Sequence, residues 1–143
     1  MTHARPRRII VALAIAAAAA ALALIVILRS ASTADAASTV NVRLSDFKVR
    51  PTPSSTEHGR VTFSVRNTAE MEHELIVIKT RRRANDLPMR NGKASTRGAR
   101  GEVEVDGGER KRLTLNLTAG HYVLICNIGQ HYSAGMRSNF TVR

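Results

Sequence analysis

The sequence has one cysteine, no tryptophan and only 3% aromatic residues. A single thiol rules out a disulfide framework within the chain. So few aromatics leave little for bases to stack on, so the basic balance is not read as a nucleic-acid surface. Acidic residues are scarce, 11 against 22 Lys and Arg, giving a formal net charge of +11. Such a balance points to an acidic partner or an anionic membrane surface. No internal repeat is visible, and no segment after residue 38 carries a convincing helical period.

One long apolar run is present. Arg5, Pro6, Arg7 and Arg8 precede an uncharged stretch from Ile9 to Leu28 without Gly or Pro. About 20 helical residues cross the hydrocarbon core of a bilayer. The run exceeds a signal peptide's h-region, which favours a retained anchor, whereas Ala34-Asp35-Ala36 offers a cleavage site of the small-x-small kind. Residues 1–29 are therefore read as an N-terminal membrane anchor or signal segment, one transmembrane or signal helix. Residues 30–38 are a flexible Ala/Ser/Thr linker, and residues 39–143 form the folded domain. The arginine flank stays cytoplasmic by the positive-inside rule, which places the domain outside. No cysteine follows the run, so no lipid attachment site is expected there.

Within the domain the hydrophobic period is close to two. Val40, Val42 and Leu44 alternate with polar residues, as do Val61, Phe63 and Val65; Val103 and Val105; Leu113, Leu115 and Leu117; and Phe140 and Val142. Strict alternation predicts half-buried strands, whereas the continuous run Leu75–Ile78 predicts a strand buried on both faces. Turn signals at Pro51-Thr52-Pro53, Asn91-Gly92, Asp106-Gly107-Gly108 and Ala119-Gly120 separate them. Seven or eight short strands predict an all-β, antiparallel β-sandwich with Greek-key connections. Residues 80–101, rich in Arg and Lys, read as a long, solvated, basic excursion.

In an oxidising compartment a lone thiol is unusual unless something protects or uses it. Cys126 is followed five residues later by His131 and five later again by Met136. Thiolate, imidazole and thioether in one short segment suit copper, and two His, one Cys and a long axial Met make the blue-copper set. The second histidine comes from elsewhere in the chain. His73 opens the apolar strand and is the best candidate. His58 lies in a polar turn, and His121 begins the strand leading to Cys126, about 16 Å from it along the strand.

Gly120-His-Tyr-Val-Leu-Ile-Cys126-Asn-Ile-Gly-Gln-His131-Tyr-Ser-Ala-Gly-Met136 resembles the C-terminal copper loop of the cupredoxins, and its Cys-x4-His-x4-Met spacing is most similar to the auracyanin type. Asn67-Thr-Ala-Glu-Met-Glu-His73 resembles the family's other motif, in which an Asn precedes the first His ligand. The resemblance covers roughly Val40–Arg143. It implies one copper ion with His73, Cys126 and His131 as equatorial ligands and Met136 as the weak axial one. It also implies that Asn67 hydrogen-bonds across to the loop bearing Cys126. Where relatives often carry Pro-Gly before the second His, this chain has Gly129-Gln130.

The function implied is single-electron transfer by a monomer, extracytoplasmic at a bacterial or archaeal cell envelope, with an acidic redox protein as partner. The alternative is a copper carrier or store with the same ligands. Five histidines are too few for a multicopper oxidase, and a thiol enzyme built on Cys126 and His131 leaves Met136 without a role. No enzymatic activity is expected.

Overall fold

The computed structural model describes residues 37–143; the helix expected over Ile9–Leu28 and nearly all of the linker lie outside them. The described strands are β1 (Ser38–Ser45), β2 (Lys48–Thr52), β3 (Ser55–Thr56), β4 (Gly59–Asn67), β5 (His73–Lys79), β6 (Met89–Arg90), β7 (Lys93–Ala94), β8 (Ala99–Val105), β9 (Arg110–Leu117), β10 (Gly120–Ile125) and β11 (Arg137–Val142). No helix among the described residues is long and apolar enough to cross a membrane.

A four-stranded sheet in the order β2-β1-β4-β9 packs against a five-stranded sheet in the order β3-β11-β10-β5-β8. Alternation decides what each strand buries. From the first sheet Val40, Val42, Leu44, Val61, Phe63 and Val65 point inward, meeting Leu75, Val77, Tyr122, Leu124 and Phe140 of the second. Each such side chain contributes about 1.5–3 kcal/mol when fully buried. Phe63 and Phe140 meet edge to face, with ring centroids 5.6 Å apart and planes at 64°.

Not every pairing is antiparallel. β1 lies parallel to β4, and β3 parallel to β11, which corrects the all-antiparallel expectation. The hairpin partner β2 takes one edge of β1. The chain then crosses to the other sheet through β3, so β4 returns in the direction of β1. Alternation reports which face is buried and carries no information on strand direction.

The basic excursion is not simply solvated. Ala84, Leu87 and Ala94 are buried against Ile76, Ile78, Val123, Ile125 and Tyr132, forming a second core on the outer face of the five-stranded sheet. This cover is why β5 is apolar on both faces, as its continuous run predicts.

Replacing Phe63 with Ala removes the largest inward side chain of β4 and is expected to destabilise the domain by about 3–5 kcal/mol, read as a lowered midpoint in guanidinium unfolding. An unchanged midpoint would contradict this core.

Candidate metal centre

The site lies where β5 begins and β10 ends. The two strands pair antiparallel, with Ile125 opposite Ile76. The chain leaving β10 therefore arrives beside His73, and the backbone N–H of Glu74 donates to Cys126 Sγ at 3.4 Å. The loop that follows is closed by its own backbone. Cys126 N donates to Met136 O at 3.1 Å, Met136 N to His131 O at 2.9 Å and His131 N to Ile128 O at 3.0 Å. These bonds fold the loop back and aim the His131 ring at the sulfur.

Three donor atoms converge. His73 Nδ1 stands 3.2 Å from His131 Nδ1, and Cys126 Sγ stands 3.5 Å from His131 Nδ1 and 4.0 Å from His73 Nδ1. A point equidistant from these three atoms lies about 2.1 Å from each, within the roughly 2.0–2.3 Å of first-row metal bonds to imidazole and thiolate. His73 Nε2 is buried without a hydrogen-bond partner, so the ring's described polar contacts run through Nδ1 into the cluster. His73, Cys126 and Met136 are fully buried, whereas His131 is half-buried. Met136 shares the main core with Cys126, and its carbonyl accepts from the Cys126 N–H. A soft sulfur and two imidazoles converging on one point, with the Met136 thioether buried in the same core as Cys126, fit a type 1 copper ion.

The electrostatics follow from burial. Desolvation pushes the Cys126 thiol up, with the N–H groups of Glu74 and Ile128 pulling partly the other way and the Glu74 and Glu72 charges adding to the rise. Desolvation also lowers the His73 pKa, helped by His131 and opposed by Asp46. Without metal, the pocket therefore favours a neutral thiol beside a neutral imidazole.

Asn67 is buried at the end of β4 but does not reach the loop bearing Cys126. Its Nδ2 donates instead to Met71 O at 2.7 Å and Val105 O at 2.9 Å, and its Oδ1 accepts from Ala69 N at 3.0 Å. It braces the turn leading into His73, because its short side chain is occupied by carbonyls of its own loop and of β8. Gly107 completes that brace, since a Cβ there would overlap the Glu70 carbonyl. His58 and His121 stand apart from the cluster. His58 Nδ1 is 2.9 Å from Arg143 O, and His121 Nδ1 is 2.9 Å from Thr80 O.

Sequence reading passed over four residues. Glu74 Oε1 accepts from Asn127 N at 2.7 Å, joining β5 to the residue after Cys126. Burial pushes this carboxyl up, the Asn127 N–H opposing. The Asn127 side chain exchanges two bonds with the Ala94 backbone, both at 2.9 Å. Tyr132 Oη accepts from Leu87 N at 3.0 Å and donates to Ala84 O at 2.8 Å. The excursion is thus fastened to the residues that follow Cys126 and His131. Phe47, 46% exposed and at φ 57°, sets its ring edge-on to His131 at 5.7 Å. The available signal was adjacency: Glu74, Asn127 and Tyr132 each sit next to a ligand in sequence.

No family model matches this sequence, and no curated protein does. Solved structures share its fold. Auracyanin from the photosynthetic bacterium Roseiflexus castenholzii aligns with a TM-score of 0.58 at 18% identity, over 76% of this chain and 98% of its own. Auracyanin A, a "blue" copper protein from the green thermophilic photosynthetic bacterium Chloroflexus aurantiacus, aligns at 0.54 and 19%, over 73% and 99%. Rusticyanin from Thiobacillus ferrooxidans aligns at 0.54 and 17%, over 76% and 79%. The described residues have the cupredoxin fold.

Two outcomes follow from the geometry. Asn127→Ala leaves the buried Ala94 N–H and carbonyl unpaired and is expected to cost about 2 kcal/mol in denaturant unfolding; no loss would mean that the excursion does not brace the loop. Because the thiol must lose its proton to bind a metal, copper uptake should release one proton at Cys126 and strengthen with pH by roughly tenfold per unit. The lowered His73 pKa keeps that imidazole from competing for protons near neutrality. Calorimetric titration in two buffers of different ionisation enthalpy counts the proton, and an affinity flat across neutral pH would contradict the protonated thiol.

Proposed function

We propose that this chain is an exported, membrane-tethered electron carrier with one type 1 copper held by His73, Cys126 and His131 and weakly by Met136. The observation that carries this reading is the convergence of the two Nδ1 atoms and the sulfur around one point. When bound, copper supplies the one-electron Cu(II)/Cu(I) couple. The protein's part is to hold its ligands still. His73 is fixed by a strand of the sandwich, and Cys126, His131 and Met136 by a loop tied to itself through backbone bonds. Little then has to move as the charge changes. The Glu74 N–H bond to the sulfur draws charge from the thiolate, a lever on reduction potential.

His131 is the half-buried ligand, and the exposed Phe47 ring lies beside it. This end is the natural place for an electron to enter or leave. Arg81, Arg83, Arg90 and Lys93 are exposed on the excursion fastened to Asn127 and Tyr132. They support steering of an acidic redox protein into a weak, short-lived complex. The run Ile9–Leu28 supports a membrane anchor with the domain outside the cytoplasm. A copper carrier would use the same ligands, but full burial of His73 and Cys126 supports retention over handover.

The visible spectrum after one equivalent of Cu(II) tests the reading. An intense blue band is expected that disappears reversibly on reduction and is missing in Cys126→Ser. A pale wild-type product would overturn the type 1 assignment, and release of the metal to an acceptor protein would favour the carrier.

A further inference from the structure

The outer face of the four-stranded sheet carries a cross-strand row of arginines. Register sets Arg50 opposite Arg43, Arg43 opposite Arg66 and Arg66 opposite Arg110, one from each strand of the sheet. All four are exposed. With strands about 4.8 Å apart, the row spans about 14 Å. Arg112 stands in the next row, opposite Ser64. Between Arg43 and Arg50 lies an open hollow of about 390 Å³, lined also by Asn41 and Thr52.

Among the described residues, no ion pair neutralises this row. The outward positions of the four strands hold no Asp or Glu. Among the described residues, the ion pairs join Arg82 to Asp86, Lys111 to Glu109 and Arg143 to Glu57, and none includes a member of the row. Arg110 reaches the Ser64 hydroxyl at 3.4 Å. Like charges directly opposite each other weaken a sheet, so the row acts against folding and calls for an anionic counterpart from outside.

We propose that this face docks on an anionic lipid surface. Protein interfaces draw most of their energy from a few anchors, chiefly Trp, Tyr and Arg, packed in desolvated pockets. This face has the arginines without an aromatic or apolar neighbour to pack them against. The exposed large apolar side chains are Phe47, Met71 and Met89, and none stands on this face. An apolar-free plane of guanidinium forks suits an array of phosphate headgroups, which it can grip in bidentate fashion. One of the two inner strands of the row, β1, is also the first described strand after the apolar run. Nine residues separate Leu28 from Ser38, so a membrane-held Leu28 keeps the domain within about 30–35 Å of the lipid. The preference for lipid over an acidic protein rests on that anchor reading. Lying on this face, the domain leaves Phe47 and His131 uncovered, because both sit in loops at the end of the sandwich.

The test uses residues 37–143, which close their own core and in which every described strand pairing starts at Ser38 or later. The domain is sedimented with vesicles of phosphatidylcholine alone or mixed with phosphatidylglycerol. Binding is expected only with the mixture, weakening with added salt. Each of Arg43→Gln and Arg66→Gln should weaken it about fivefold, and the pair about 25-fold. Removing two charges from the excursion, Arg81→Gln with Arg83→Gln, should change it little. Thermal melting of each variant checks the fold. Absence of binding to the mixed vesicles, or equal losses from both double variants, would overturn the proposal. So would capture by soluble polyglutamate in preference to the vesicles, which would assign the face to an acidic protein. Cys126→Ser should bind vesicles like the wild type, so a failure of the copper reading shows in the spectrum alone. A full-length chain that fails to partition into membranes would remove the anchor reading without altering the vesicle result.

Discussion

In the antiparallel pairing of β5 with β10, Ile125 stands opposite Ile76, and the next residue along β10 comes to rest beside the start of β5. The metal centre follows from that register. His73 opens β5 and Cys126 leaves β10, so the sandwich core that aligns the strands also aligns these two fully buried donors. A slip of one residue would turn every side chain of one strand to the opposite face. It would carry Cys126 out of the core and leave His73 facing a hydrocarbon wall. The apolar residues flanking the ligands, Leu75, Val77 and Leu124 among them, therefore do more than stabilise. They decide that a thiol and an imidazole meet.

Bringing those groups together in a dry pocket has an electrostatic consequence. Burial opposes both the thiolate and the imidazolium. Two N–H groups directed at the sulfur oppose the first effect only in part. The pocket is thus poorly suited to isolated charges and well suited to a cation that satisfies a thiolate and two neutral imidazoles together. His131 differs in being half-buried, which makes one ligand the connection between the dry centre and the surface.

The excursion between β5 and β8 gives the same region a second wall. Asn127 and Tyr132 each spend their polar atoms on its backbone, and Glu74 ties Asn127 back to β5. The loop carrying three of the four proposed ligands is consequently held from two sides, by the sandwich within and by the excursion without. The charges of the excursion stay exposed while Ala84, Leu87 and Ala94 turn inward. One segment can thereby brace the loop and present a cationic surface.

Much of this was legible along the chain. Alternation at Val40–Leu44, Val61–Val65 and Leu113–Leu117 marked strands and their buried faces, because a period of two is a local property. The Cys126–His131–Met136 spacing marked the centre, because a single loop carries all three and soft donors seldom gather so closely. His73 followed from its place at the head of a doubly buried strand. What could not be read was whatever depends on which segments become neighbours. The parallel pairing of β1 with β4, the bonds of Asn67 to Met71 and Val105, and the fastening of Ala94 to Asn127 join residues that no local pattern relates. The arginine row is the clearest case. Arg43, Arg50, Arg66 and Arg110 look like scattered surface charges in the sequence. Only strand order and register, set by how the two sheets close one core, bring them into a line.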